Sequence, residues 1–205
     1  MTFSLEDLNN IHLDVLREVG NIGAGNAATA LAKMVQKRID MDVPIVQILS
    51  FEDVAAILGG EEIVVAGIYF QVEGDINGNI MFVLDIPSSK VLTSMLMGRE
   101  DYSGDLDEMD YSALQEIGNI LSGSYISSLN MLTGLNLKLS VPSLCIDMAG
   151  AILSVPAIQF SQTGDKVVLI ETILKDGNSL VKGNFFLIPD GDSFEILLKS
   201  LGVFK

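Results

Sequence analysis

The chain has 205 residues, 49% of them hydrophobic, which is enough to bury a sizeable core. Its 27 acidic and 12 basic side chains leave a net charge of −15. That charge opposes nucleic-acid binding, where Lys and Arg must neutralise phosphates, and docking on an anionic membrane. A single cysteine, Cys145, excludes an intrachain disulfide and a cysteine-based zinc site, and a single histidine, His12, leaves little for a metal or catalytic constellation.

Met1 to Asp7 is polar and acidic with no apolar run behind it, so no secretory signal is expected. A helix follows over roughly Asn9–Lys37, then a strand Met41–Leu49 and a short helical piece Glu52–Leu58. Two runs rich in Val, Ile and Phe, Ile63–Glu73 and Ile76–Ile86, read as a hairpin. An amphipathic helix Ser88–Met97 closes the series, and the acidic stretch Arg99 to Asp110 reads as a connector. The same order then recurs: helix Asp110–Leu132, strand Leu137–Ile146, helical piece Asp147–Leu153, strands Lys166–Lys175 and Leu180–Ile188, helix Ser193–Leu201. The uncharged stretch Ile117 to Leu137 is long enough to span a bilayer but carries too many Gly, Ser and Asn to be predominantly apolar. A soluble cytoplasmic protein with no membrane insertion is expected.

The recurrence is also one of residues. Leu16, Glu18, Gly20, Asn21, Ile22 and Gly25 match Leu114, Glu116, Gly118, Asn119, Ile120 and Gly123, each at an offset of 98, and Val43-Pro44 matches Val141-Pro142. Gly78-Asn79-Ile80 matches Gly183-Asn184-Phe185 after a short insertion. A period near 100 is too long for a solenoid; it points to a duplicated half-domain. The expected fold is α/β of the α+β type: one domain over 1–205, made of halves at about 9–98 and 110–203. The halves share a mainly antiparallel sheet of about six strands flanked by helices. Because Gly78 matches Gly183, which lies beyond the turn Asp176-Gly177-Asn178-Ser179, the first hairpin is expected to bend at Gly74-Asp75.

On a helix, residues three and four apart share a face. Asp14, Glu18, Asn21 and Gly25 form one stripe, and Ser112, Glu116, Asn119 and Gly123 form its counterpart. Leu16, Gly20, Gly23, Ala27, Ala30 and Met34 form a second, small and apolar stripe. Each interior glycine costs about 1 kcal/mol relative to alanine. Close packing on the sheet is the expected reason for Gly20 and Gly118, while packing and clearance for a partner both stand for Gly25 and Gly123. Arg17, Asn26 and Ala27 have become Gln115, Ser124 and Tyr125, yet Glu and Asn keep their places. A solvated surface without a task would drift too, so the Glu/Asn pair is expected to share a functional role.

The glycines lie within the helix and lack the Lys-Ser/Thr of a P-loop and the Rossmann spacing. No nucleophile stands beside a plausible base, and Cys145, at the end of an apolar pattern, is expected to be buried. Asn can orient a water by donating and accepting hydrogen bonds, and Glu can pair with a lysine. Such a pair suits hydrolysis of a labile acyl phosphate on a partner protein that carries its own Mg²⁺.

The doubled Asp/Ser-x-x-x-Glu-x-x-Asn pattern resembles the CheC family of chemotaxis phosphatases, related to CheX and FliY, and the likeness extends to Ile146-Asp-Met-x-x-Ala-Ile. The resemblance implies dephosphorylation of the response regulator CheY-P. Glu18 and Glu116 would engage the regulator's lysine, and Asn21 and Asn119 would position the attacking water. No cofactor of the chain's own is implied, the Mg²⁺ belonging to the regulator. It also implies the receptor deamidase CheD as a partner, contacted near Asp147, which is placed at the opening of the second short helix; an N-cap is the structural alternative there. A non-enzymatic adaptor for phospho-CheY or CheD is the competing functional reading.

Overall fold

The computed structural model describes residues 10–99, 104–160, 166–177, 179–190 and 192–202. Its elements are α1 (Asn10–Val35), β1 (Asp40–Ser50), α2 (Phe51–Ile57), β2 (Val64–Gly74), β3 (Gly78–Asp85), α3 (Ile86–Met97), α4 (Glu108–Thr133), β4 (Leu137–Leu139), β5 (Ser143–Met148), α5 (Ala149–Phe160), β6 (Lys166–Asp176), β7 (Ser179–Pro189) and α6 (Ser193–Ser200). Local chemistry sets several boundaries. Asp107 caps α4 in a reciprocal box with Asp110, and Ser50 caps α2 in the same way with Asp53. Gly134 and Gly98 end α4 and α3 in the left-handed conformation that glycine adopts without steric cost. Among the described residues no helix is long and apolar enough to cross a membrane.

All strands join one antiparallel sheet in the order β1-β6-β7-β3-β2-β4, with β5 also paired to β2. The pairing interlocks early and late parts of the chain. β1 pairs with β6, β2 pairs with β4 and β5, and β3 meets β7 at the centre. There Met81 faces Phe186, its counterpart in the repeat.

Side chains alternate across a strand, and here both faces are covered. Ile80, Phe82 and Leu84 of β3 join a core with Leu16 and Leu31 of α1, Leu114, Ile117 and Leu121 of α4, Leu92 of α3 and Leu197 of α6. Met81 and Val83 face the other way, into a second core with Val54 of α2 and Ile152 and Leu153 of α5. Each fully buried Leu, Ile or Phe contributes about 1.5–3 kcal/mol relative to exposure. Two-sided burial explains why β3 reads as an unbroken apolar run.

Three details differ from the sequence-based expectation. The strand expected over Leu137–Ile146 is broken into β4 and β5, so the sheet has seven described strands instead of six. Pro142 lies at the break and has no N–H to donate. Ser140 spans the gap: its N–H donates to the Gln71 carbonyl at 2.9 Å and its Oγ accepts from the Gln71 N–H at 3.0 Å. At the matching Pro44, β1 continues with a register shift between Asp42 and Ile45. The second short helix begins at Ala149 rather than Asp147 and runs to Phe160, passing through Pro156. The strand expected from Ile76 starts at Gly78. The bend at Gly74-Asp75 is as expected; Gly74 has φ +134°, and a side chain there would strike the Asn136 carbonyl.

The glycines of α1 and α4 separate cleanly. A Cβ on Gly118 would lie 2.9 Å from the Ile68 side chain, and one on Gly20 would lie 3.2 Å from Val43. Nothing lies within 4 Å of a Cβ built on Gly25 or Gly123. Gly118→Ala is therefore expected to destabilise the fold by about 1–3 kcal/mol through overpacking. Gly25→Ala is expected to stabilise it by up to about 1 kcal/mol through helix propensity. Urea unfolding of both variants checks the opposite signs.

Candidate functional site

Helices α1 and α4 lie side by side on one face of the sheet. Gly23 makes their close approach possible: a Cβ there would sit 2.8 Å from the Tyr125 ring. Asn26 Nδ2 donates to Ser128 Oγ at 3.3 Å across the same seam. Tyr125 stacks at a tilt on Phe185, with ring centroids 4.7 Å apart, and its hydroxyl shares a 3.0 Å hydrogen bond with Thr172 Oγ1. Burial pushes its pKa up to about 12, against the opposing effect of the Thr172 bond. The residue that sequence comparison registers only as a drift from Ala27 is thus the wedge between the two helices.

With Leu16, Val19, Gly20, Gly23 and Ala27 turned inward on α1, and Leu114, Ile117, Gly118, Leu121 and Tyr125 on α4, the remaining phase of each helix points outward. Glu18 and Asn21 are exposed on α1, and Glu116 and Asn119 are exposed on α4. Among the described residues none of these four side chains has a hydrogen bond or ion pair, so their polar atoms are open to an incoming group. One turn beyond each Asn comes the bare backbone of Gly25 or Gly123. The structure thus brings Glu18 together with Asn21 and Glu116 together with Asn119, as two stripes on two helices rather than one pooled cluster.

The stripes differ in the position before Glu. Asp14 forms an ion pair with the neighbouring Arg17, whereas Ser112 Oγ donates to the Glu108 carbonyl at 3.1 Å. Among the described residues no group of three or more His, Cys, Asp or Glu side chains could hold a metal ion. His12 is buried in α1.

Asp147 is not the opening residue of a helix. It lies on β5 opposite Val65, and its Oδ1 accepts from the Met148 N–H at 2.7 Å. Its neighbour Ile146 packs on the core beneath α1 and α4, so strand alternation turns Asp147 to the other side of the sheet. There it lines a cavity of about 350 Å³ with Tyr69, Cys145 and Val155. Cys145 shares that side and is exposed rather than buried. β5 lies at the sheet margin, and α5 leaves the thiol uncovered.

The CheC-like family model matches residues 11–48, and that of the chemotaxis phosphatase CheX matches residues 64–161. The CheY-P phosphatase CheC of Bacillus subtilis is 40% identical over 195 residues, covering 93% of each chain. The crystal structure of Thermotoga maritima FliY superposes with a TM-score of 0.76 at 24% identity, over 96% of this chain and 98% of that one. A chain of the CheX–CheY–BeF₃–Mg²⁺ complex from Borrelia burgdorferi gives a TM-score of 0.50 at 17% identity, over 82% of this chain and 95% of that one. The identity and coverage of the B. subtilis relative place the chain in the chemotaxis-phosphatase class. Within that class, the chain belongs to the CheC family.

Proposed function

We propose that this protein hydrolyses the aspartyl phosphate of the response regulator CheY-P, with one Glu/Asn pair on each of α1 and α4. The observation that carries the reading is the pairing itself: a carboxylate and a carboxamide stand one turn apart, twice, exposed and without partners among the described residues. The name of the B. subtilis relative supports it.

The chemistry divides between the residues. Glu18 or Glu116 offers a charge to a lysine beside the regulator's phosphoryl group, a contact that fixes docking register. Asn21 or Asn119 reaches toward the acyl phosphate. Its carbonyl oxygen accepts a hydrogen bond from a water, and its amide can donate to a phosphoryl oxygen. A water held in line with the scissile P–O bond then attacks; the bond to the Asp carboxylate breaks and inorganic phosphate leaves. Mg²⁺ arrives with the regulator, so this chain contributes position rather than charge neutralisation. The bare backbone at Gly25 and Gly123 leaves room for the regulator's surface. An adaptor needs only complementarity; the carboxamide at both sites favours water positioning over docking alone.

Two independent sites should fail independently. Asn21→Ala or Asn119→Ala alone is expected to leave part of the accelerated decay of CheY-P, and the double variant to lower it roughly 100-fold, the scale of losing one positioned polar group. Decay at the wild-type rate in the folded double variant would remove the Asn residues from the mechanism.

CheD is assigned to the opposite side of the sheet, at Asp147. Asp147→Lys is expected to weaken CheD capture strongly while CheY-P hydrolysis persists, because Asp147 and the Glu/Asn stripes face opposite ways. Unchanged capture would leave Asp147 with only its local bond to Met148.

A further inference from the structure

Exposed apolar side chains on the outward faces of α1 and α4 follow the same internal repeat as the Glu/Asn stripes. Ile11 is 65% exposed and Met109 is 68% exposed, although both side chains are large and apolar. They occupy matching positions at the offset of 98. Each precedes its Glu by seven residues, two helical turns, so Ile11 shares a face with Glu18 and Met109 with Glu116. Ile22 and Ile120, directly after each Asn, lie three turns further along the same edge and are half-buried. An apolar edge thus flanks each stripe.

Helix capping does not require these side chains. Met109 joins the α4 cap through its backbone N–H, which donates to Asp107 Oδ1 at 2.9 Å, and the first turn of a helix favours acidic residues. Fold symmetry alone does not preserve exposed apolar residues either. Met131, 67% exposed, has Lys33 as its counterpart, and the exposed Val141 corresponds to the buried Val43. Met34 and Leu132 do recur, but each is less exposed, at 42%, and Met34 continues the small and apolar packing stripe. The pair in phase with Glu and Asn is the one that both recurs and stands furthest into solvent.

We propose that Ile11 and Met109 are the apolar anchors with which each stripe seats the phosphorylated regulator, each entering an apolar depression on that partner's surface. The inference rests on the regulator being the partner of the stripes. Asn21 lies about 15 Å along the helix axis from Ile11. A standard interface of about 800 Å² per partner is about 30 Å across, so one docked protein covers both residues. Positioning a water requires the regulator to be held in one register, and an ion pair open to solvent supplies little affinity. An apolar side chain buried on docking supplies it and leaves Glu and Asn to orient the reacting groups. Ile11 and Met109 are therefore positioning residues, outside the chemistry itself.

Two measurements on the whole protein test this: binding of beryllofluoride-activated CheY with Mg²⁺, and steady-state hydrolysis of CheY-P. The double substitution Ile11→Gln with Met109→Gln removes the apolar surface and keeps helix propensity. It is expected to weaken binding and raise KM roughly tenfold with kcat nearly unchanged, the scale of truncating an interface anchor. Ile11→Leu with Met109→Leu is expected to keep both near their wild-type values. Affinity and KM unchanged in the Gln variant, or lost equally in the Leu variant, would overturn the anchor role and leave the phosphatase reading in place. Binding that depends on the anchors without any hydrolysis would support the anchors and remove the phosphatase reading. A wild-type protein that does not bind the activated regulator would overturn the proposal. So would self-association that disappears in the Gln variant while regulator binding is unchanged, which would give the apolar edge to a second copy of the chain.

Discussion

The contact on which the rest depends is the seating of two long helices on one sheet through glycine. Gly20 and Gly118 bring α1 and α4 against Val43 and Ile68, and Gly23 admits the Tyr125 ring between them. With the inward phase of each helix fixed by those contacts, helical periodicity fixes the outward phase as well. Glu18, Asn21, Glu116 and Asn119 are exposed because their neighbours are immobilised below. Three glycines that weaken isolated helices thus hold the candidate stripes in place.

Periodicity carried much of this in the sequence. The long helices announce themselves by apolar residues at helical spacing, and the offset of 98 identifies the paired stripes without coordinates. Close sheet contact at Gly20 and Gly118 could be anticipated because glycine in a helix interior needs a compensating gain. Other features depend on distant partners. The break between β4 and β5 is spanned by Ser140, which bonds Gln71 on β2, and the exposure of Cys145 follows from which edge α5 covers. Asp147 belongs to a strand because Val65 pairs with it, a fact that no local propensity contains. Tyr125 looked like neutral drift and proved to be the wedge between the site helices.

The repeat also makes differences between the halves informative. Proline at matching places yields a register shift in β1 and a break between β4 and β5. Arg17 pairs with Asp14 beside one stripe, and Ser112 turns back to its own helix beside the other. Symmetric features include the Glu/Asn stripes proposed to share one chemistry, and asymmetric ones are where each half can acquire a separate task.

The division of labour between carboxylate and carboxamide is the central mechanistic claim, and steady-state kinetics on CheY-P tests it most directly. Substituting both glutamates, Glu18→Gln with Glu116→Gln, is predicted to raise KM with a smaller effect on kcat, because a docking charge is lost. Substituting both asparagines by alanine is predicted to lower kcat with KM nearly unchanged, because the attacking water loses its orientation. If the asparagine pair instead raises KM and leaves kcat intact, the carboxamides act in docking and the water-positioning account is contradicted.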